Sequence, residues 1–317
     1  MTPLAAIVIG RNEEDRLLAC LRSLQGRVDR LIYADSGSTD GSLAAAAALG
    51  VETVALSPPH TAARGRNAGA AALGDWDGHL LFVDGDCTVD PGWPGAARAA
   101  LDADPGLGLV TGWRRERYPE RSIFNRMAEV EWHRPAGEIR TCGGDMAVRA
   151  AAFRQIGGFD AGLIAAEDDD FCLRLGKAGW RLQRLPVAMT EHDMDMTNIR
   201  QWWRRAVRSG HGFAQVGEMH PPHCRRDRLR VIGYCALAAF GVLASAITPW
   251  AGGAVLAILA ISLVRTARGL RRAHDMDMAE ALHQAAWLLA TKLPNLVGIA
   301  MWHLRRRERP PEIIEYK

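Results

Sequence analysis

The stretch HLLFVDGDCTVDPGW, His79 to Trp93, decides how the chain is read. Four apolar residues, Leu80 to Val83, stop at Asp84-Gly85-Asp86. A short apolar run bounded by turn formers is the pattern of a buried strand. In open parallel sheets ligands bind in the crevice outside the carboxyl ends of the strands. Asp84 and Asp86 therefore belong at a crevice, with Gly85 letting the backbone turn between them. Two carboxylates this close repel each other unless a cation is shared. A hard divalent ion that also carries substrate phosphates is the natural one. An Asp-Gly turn capping a helix fits the same letters.

Outward from this strand the chain alternates. LAAIVIG, Leu4 to Gly10, reads as a first buried strand, and Leu17, Leu18, Leu21 and Leu24 then recur at helical spacing. VDRLIYADSGSTDGS gives a second strand ending at Asp35. SLAAAAALG reads as a helix closed by Gly50. VETVAL is a third strand, TAARGRNAGAAAL another helix, and the His79 strand follows. This β-α-β-α-β order predicts an α/β doubly wound, mostly parallel sheet with helices on both faces.

Polar groups gather at three strand ends: Arg11 to Glu14, Asp35 to Asp40, and Asp84 to Asp86. No G-x-G-x-x-G follows the first strand and no G-x-x-x-x-G-K-[ST] occurs, which excludes dinucleotide-fingerprint and P-loop proteins. Asp35 at the end of a second strand suits hydrogen bonding to a base or ribose, though DSGSTDG is equally the composition of an Asx-turn.

In order and spacing, IVIGRNEE, DSGSTDGS, RGRNAG and LLFVDGDC resemble the nucleotide half of a family 2 glycosyltransferase of GT-A fold. The resemblance implies that Glu13, Asp35, Arg64 and Asp84 bind the nucleotide. It implies that Asp86 is the last acid of a D-x-D motif holding Mg2+ or Mn2+ on the sugar-nucleotide diphosphate. Arg140 to Trp180, with its GG pair, its GGFD turn and its acids Glu167 to Asp170, resembles the acceptor half. There the family pattern places Gly144, Asp145 and Asp170 with the acceptor, Asp168 as general base and Glu167 beside it. Close carboxylates would raise the pKa of Asp168 and make it a better base. Acids in the first turn of a helix also simply complement its dipole. His192, after the last core strand, matches the histidine that completes the metal site. Gln201 and Arg204 fit the Q-x-x-R of processive synthases, but Arg205 stands where a tryptophan is expected, which favours addition of a single sugar. Trp202 and Arg204 are further acceptor candidates.

Composition sets limits. Apolar residues make up 48% of the 317, and the net charge of +3 gives no argument for nucleic acid. Six scattered cysteines without a C-x-x-C pair suit a reducing compartment. The first residues lack the basic start and cleavage site of a signal peptide. Val231 to Val264 carries no Asp, Glu, Lys, Arg or His, with arginines on either side. Residues 231–264 therefore predict an apolar hairpin, broken across Thr248 to Gly253, with both ends cytoplasmic. Residues 281–304 predict one interfacial helix with Trp287 and Trp302 at head-group depth. The expected division is a catalytic domain over 1–224 and a helical membrane-association region over 225–317, at the cell inner membrane with the catalytic part in the cytoplasm. The expected activity is inverting transfer from a nucleotide sugar, UDP-linked, to a lipid-linked or glycan acceptor. A processive polysaccharide synthase and a non-catalytic nucleotide-sugar-binding scaffold are the rival readings.

Overall fold

The computed structural model describes residues 1–305. The tail RPPEIIEYK, 309–317, expected to be extended and docked, lies outside the described residues, as do Arg306 and Arg307. The chain divides into two compact units, Met1–Asp195 and the part from Met196 onward.

In the first unit the elements run β1 (Leu4–Gly10), α1 (Glu14–Leu24), β2 (Arg30–Asp35), α2 (Ser42–Ala48), β3 (Glu52–Ala55), α3 (Ala62–Ala72), β4 (His79–Asp84), β5 (Cys87–Val89), α4 (Trp93–Ala103) and β6 (Leu107–Glu116). They continue with α5 (Ile123–Trp132), β7 (Gly137–Glu138), β8 (Met146–Arg149), α6 (Ala150–Gln155), α7 (Glu167–Lys177) and β9 (Arg181–His192). The sheet order is β3-β2-β1-β4-β8-β6-β9-β5, with β7 paired to β9. Strands β1 to β4 are mutually parallel, as the alternation requires. Beyond β4 the sheet is mixed: β8 is antiparallel to both β4 and β6, while β6 and β9 run parallel.

Side chains of β1 alternate between two cores, which is the period-two rule at work. Leu4, Ala6 and Val8 pack with Leu17, Leu21 and Leu24 of α1 and with Trp93, Ala97 and Leu101 of α4. Ala5, Ile7 and Ile9 pack with Ala63 of α3, Ala152 of α6 and Phe171, Cys172 and Leu175 of α7. Both faces of β1 are thereby covered, and its run reads as continuously apolar for that reason. Close packing shows at Gly69 of α3, where a Cβ would stand 2.3 Å from Ile7 Cγ2.

The second unit is helical: α8 (Ile199–Met219), α9 (Arg225–Ser245), α10 (Pro249–His274), α11 (Met278–Ala290) and α12 (Lys292–Arg305). Asn198 starts α8 with a reciprocal capping box to Gln201. Backbones of α8 and α12 approach closely, since a Cβ on Gly210 would lie 2.1 Å from the Asn295 carbonyl oxygen and one on Gly298 2.0 Å from that of Val207.

Two expectations for this unit change. The break in the apolar stretch is at Ala246 to Thr248, and Pro249-Trp250-Ala251-Gly252-Gly253 opens α10. Proline at the first helical position lacks no needed N–H and is preset for the helix. Gly252 is accommodated because it faces Ser245, whose Oγ would be 2.1 Å from an added Cβ. At 1.5 Å per residue the 21 residues of α9 and 26 of α10 reach about 31 and 39 Å, long enough for a hydrocarbon core of about 30 Å. Both have a candidate span of which only 11% is buried. Phe240, Val242, Leu243, Ile247, Trp250 and Leu256 all stand exposed. The single helix expected over 281–304 is two, parted at Thr291, whose Oγ bonds back to the Trp287 carbonyl. Trp287 lies edge-on to Trp202 at 4.9 Å and Trp302 edge-on to His211 at 5.4 Å.

Candidate active site

Chain ends of the parallel strands build the site. At the end of β2, Asp35 is 1% exposed and accepts hydrogen bonds from Tyr33 Oη (2.7 Å), Gly37 N (3.0 Å), Ser38 N (2.8 Å) and Ser38 Oγ. Its carboxylate thus shapes the turn, in the Asx manner that the composition allowed. Gly37, at φ +79°, needs its left-handed conformation here, and a Cβ would strike the His60 ring. Asn12, missed in the sequence, stitches this turn to the β1–α1 loop by donating N–H to Ser38 Oγ and accepting from Thr39 N at 2.7 Å. Glu13 starts α1 and pairs with Arg16.

Arg64 sits in the first turn of α3, beside Gly65, whose added Cβ would lie 3.6 Å from Ser36 Oγ. Its guanidinium is half-buried with no carboxylate partner among the described residues. Arg66, two residues on and so on the other side of the helix, is 2% exposed. It donates from Nη2 to Asp84 Oδ1 at 2.8 Å and from Nη1 to Glu167 Oε1 at 2.7 Å. One buried cation therefore ties the D-x-D end of β4 to the acidic start of α7. The sequence signal was present in Ala63, Arg66 and Gly69, spaced by three along one buried helix face.

Asp84 has both oxygens engaged, the second by Arg114 Nη2 at 3.1 Å. Burial works against its ionisation, but Arg66 and Arg114 outweigh burial and hold the carboxyl far below its ordinary range. Arg114 also clasps Asp145 Oδ2 (Nη2 at 2.6 Å) and covers the Trp132 ring at 5.3 Å. Arg114, expected to open a donor-pocket loop running to Arg121, lies instead within β6, and Trp132 carries no sequence motif.

Asp145 is 1% exposed, accepting from Asp84 N at 3.0 Å, Thr190 Oγ at 2.8 Å and Arg114. It supports the D-x-D turn from beneath, and is buried where the motif implies an acceptor contact. Asp170, also given to the acceptor by motif, is fully buried and is bonded by Arg174 Nε at 2.8 Å. Gly144 passes so close to Arg66 that a Cβ would be 2.1 Å from Nη2 and 3.2 Å from Asp84 Oδ1. Its neighbour Gly143 passes 4.0 Å from Asp168 Oδ2 by the same measure. The glycine pair threads between the two acid motifs; the close approach excludes a side chain at Gly144, whereas Gly143 is exposed and has room for one.

Helix α7 opens after Ala166, left-handed at φ +55°, with Glu167 buried and Asp168 half-buried. Asp168 Oδ1 accepts from Asp169 N at 2.9 Å. Burial first, then the charges of Glu167 and Asp169, push its carboxyl up to about 8, with Arg66 opposing. A carboxyl poised near neutrality in a crevice is suited to taking a proton.

Gly85 turns tightly against β1, where a Cβ would meet the Ile9 carbonyl at 3.1 Å. The turn delivers Asp86, 7% exposed, with Oδ2 3.2 Å from Nε2 of His192, itself 4% exposed. Trp132 is edge-on to the His192 ring at 4.8 Å. Buried carboxylate oxygen and imidazole nitrogen converging at this separation form a mixed donor set of the kind that Mn2+ accepts. Trp202 and Arg204 belong to the helical unit: Trp202 is buried against Trp287, and Arg204 is exposed on α8.

Two sequence-family profiles match, described as Glycosyl transferase family 2 over residues 5–156 and Glycosyl transferase family group 2 over 82–302. The chain belongs to the family 2 glycosyltransferases. This glycosyltransferase is 29% identical over 315 residues to the pre-mycofactocin glycosyltransferase of Mycobacterium tuberculosis, an alignment covering 93% of the chain and 64% of the relative. The chain thus spans somewhat less than two thirds of that relative's length. It is 29% identical over 222 residues to the N-acetylglucosaminyl-diphospho-decaprenol L-rhamnosyltransferase of the same organism, covering 56% of the chain and 71% of the relative. In fold it resembles the mannosyltransferase PcManGT from Pyrobaculum calidifontis, solved with GDP-Man and Mn2+ (TM-score 0.56, 19% identity, 97% of this chain and 88% of that one). The GT-A architecture expected from the motifs is the architecture found.

Proposed function

We propose that this chain is an inverting glycosyltransferase that moves one sugar from a UDP-linked donor to a lipid-linked or glycan acceptor at the cytoplasmic face of the inner membrane. The carrying observation is the Arg66 bridge from Asp84 to Glu167, which sets the raised, half-exposed Asp168 beside the D-x-D turn. Transfer with inversion needs a base on the acceptor side, as inverting glycosidases need one for water. Asp168 takes the acceptor hydroxyl proton on Oδ2, the oxygen flanked by Gly143. Arg66, bonded to Glu167, fixes the start of the helix that carries Asp168. Glu13, Asp35 and Arg64 line the nucleotide side, Asp35 by shaping the turn and Arg64 by offering a cation to the phosphates. Asp84 and Asp145 anchor the turn that presents Asp86. Asp86 and His192 would hold Mg2+ or Mn2+, which supplies charge neutralisation for the departing diphosphate. Trp202 and Arg204 are assigned to the acceptor side only by motif.

Membrane attachment is supported by the exposed apolar arms of α9 and α10, with Arg225, Arg226, Arg228 and Arg230 before them and Arg265, Arg268, Arg271 and Arg272 after. Arginines at both ends favour a hairpin with both ends cytoplasmic. We take residues 1–224, the first unit together with α8 of the second, as the catalytic domain and 225–317 as the membrane-association region. A lipid-borne acceptor suits such tethering, since sharing one surface raises effective concentration. The relative acting on a decaprenol-linked sugar supports the same choice.

Calorimetry of the full chain with UDP, GDP and dTDP, with and without Mn2+, tests the reading in wild type, Asp86→Ala and Asp168→Asn. Metal-dependent binding of UDP, lost in Asp86→Ala and kept in Asp168→Asn, is expected. Absence of binding by every nucleotide would overturn the transferase reading in favour of a scaffold.

A further inference from the structure

Cys87 follows the D-x-D motif directly and is 1% exposed. It opens β5 and stands opposite His192 in the antiparallel pairing of β5 with β9. Directly opposed residues send their side chains to one face, about 4.5–5.5 Å apart at Cβ. A buried free cysteine usually behaves as a small hydrophobe. This one lies among oxygens: its Sγ is 3.9 Å from Asp86 Oδ1 and 3.2 Å from Asp145 Oδ2. Ligand atoms from Asp86, Cys87 and His192 all fall within 4.8 Å of one another. Tetrahedral zinc with bonds of about 2.3 Å to sulfur and about 2.0 Å to nitrogen and oxygen requires edges of about 3.5 Å for S to O and about 3.3 Å for N to O. Here Sγ is 3.9 Å from Asp86 Oδ1 and His192 Nε2 is 3.2 Å from Asp86 Oδ2, each near its ideal edge but on a different oxygen of the one carboxylate.

The structure assigns Cys87 as a third protein ligand that lets the Asp86–His192 site take a thiophilic divalent ion, Zn2+ or Co2+, without nucleotide. The assignment rests on the metal reading of Asp86 and His192 proposed above. Hard Mn2+ has little use for sulfur and draws on oxygen and imidazole donors. A softer ion recruits the thiol as well: the S–H proton leaves to solvent, the sulfur keeps its electron pair and donates it to the metal. The fourth position stays open, as in sites that admit a substrate or water. Zn2+ would then compete with Mn2+ at the same place and act as an inhibitor of any Mn2+-dependent step.

Cobalt(II) titration of the full chain in detergent, without nucleotide, reads this directly. Wild type is expected to show a near-ultraviolet sulfur-to-cobalt charge-transfer band. The band should be absent in Cys87→Ser and lost with binding in His192→Ala and Asp86→Ala. It should persist in Cys224→Ser, a control for the other thiols. Zn2+ affinity, measured by competition, should fall on the order of tenfold or more in Cys87→Ser, with Mn2+ affinity little changed. X-ray absorption of zinc-loaded wild type needs no variant, and should show a sulfur scatterer at about 2.3 Å. Cobalt binding that needs Asp86 and His192 but shows no sulfur band would overturn the assignment and leave the metal site standing. A band surviving in Cys87→Ser would overturn it as well. Failure to bind cobalt, or binding indifferent to Asp86 and His192, would overturn both.

Discussion

Arg66→Met should destabilise the catalytic unit by about 3–5 kcal/mol, because removing one partner of a buried ion pair leaves uncompensated charge. The size follows from the surroundings. The guanidinium is 2% exposed and makes bonds of 2.8 and 2.7 Å to two carboxylates, Asp84 and Glu167, of which Glu167 is itself buried. Methionine fills similar volume, so the loss is electrostatic and not a cavity. For a unit of 195 residues, each kcal/mol moves the transition by about 2–4 °C, giving a fall of roughly 10 °C. Scanning calorimetry of the full chain would read it, with the catalytic transition identified as the one that nucleotide raises. The sign with pH is fixed. Asp84 is held below its unfolded value, so its contribution is present above about pH 4 and lost as pH falls through the folded value. The gap between wild type and Arg66→Met should therefore be wide at pH 7 and narrow below pH 4. Arg66→Lys keeps the charge but not the two-pronged geometry, and should fall between. A loss under about 1 kcal/mol at pH 7, or a gap that does not change with pH, would refute the reasoning.

Other outcomes follow from the same geometry. Asp168→Asn should lower the transfer rate by about 10²–10⁴-fold with donor binding intact, as measured by product formation against calorimetry. Because Asp168 works ionised and its carboxyl is raised to about 8, the wild-type rate should climb through neutrality and level off above pH 8, a profile that stopped-time assays across pH would trace. By the same shift, stability from this group is full below about pH 4 and declines as pH rises through 8. Gly144→Ala drives a methyl into Arg66 and should lower the melting temperature and nucleotide affinity together, whereas Gly26→Ala, with open space around it, should show only the modest backbone strain of its φ of +73°. Paired Val242→Arg and Leu243→Arg, both on exposed parts of α9, should reduce co-flotation with phospholipid vesicles and leave nucleotide binding unchanged.

Much of the parallel half was legible because β1, β2 and β4 are short apolar runs cut off by turn residues, and because both faces of β1 are covered. The mixed half was harder. The strand LGLVTGWRRE carries two arginines and two glycines and does not look like a strand from its letters; it becomes one by pairing with β8 and β9. Gly112 survives inside it because Met189 Cβ and the Val187 carbonyl would crowd any side chain. The acids were visible as motifs, but their division of labour was not. Which acid lies deep depends on partners far off in sequence: Thr190 and Arg114 for Asp145, Arg66 for Glu167. The family pattern points to Arg64, while the three-residue spacing of Ala63, Arg66 and Gly69 is the mark of the face that turns inward. In the helical unit Pro249 and the two glycines looked like a turn, although proline opens a helix as readily as it ends one.

The bridge made by Arg66 spans 18 residues to Asp84 and 101 to Glu167. During synthesis Arg66 and Asp84 exist long before Glu167 is made, so the growing chain holds a latch whose catch has yet to be added. Long-range closure of this kind is slow and comes late in folding. A chain severed after residue 156, where the first family profile stops, would keep every strand end of the nucleotide side and still lack the carboxylate that fastens it. The two halves of the site are thus matched to each other: an N-terminal half taken from a relative should work only when it brings a cation at the place of Arg66 to meet Glu167.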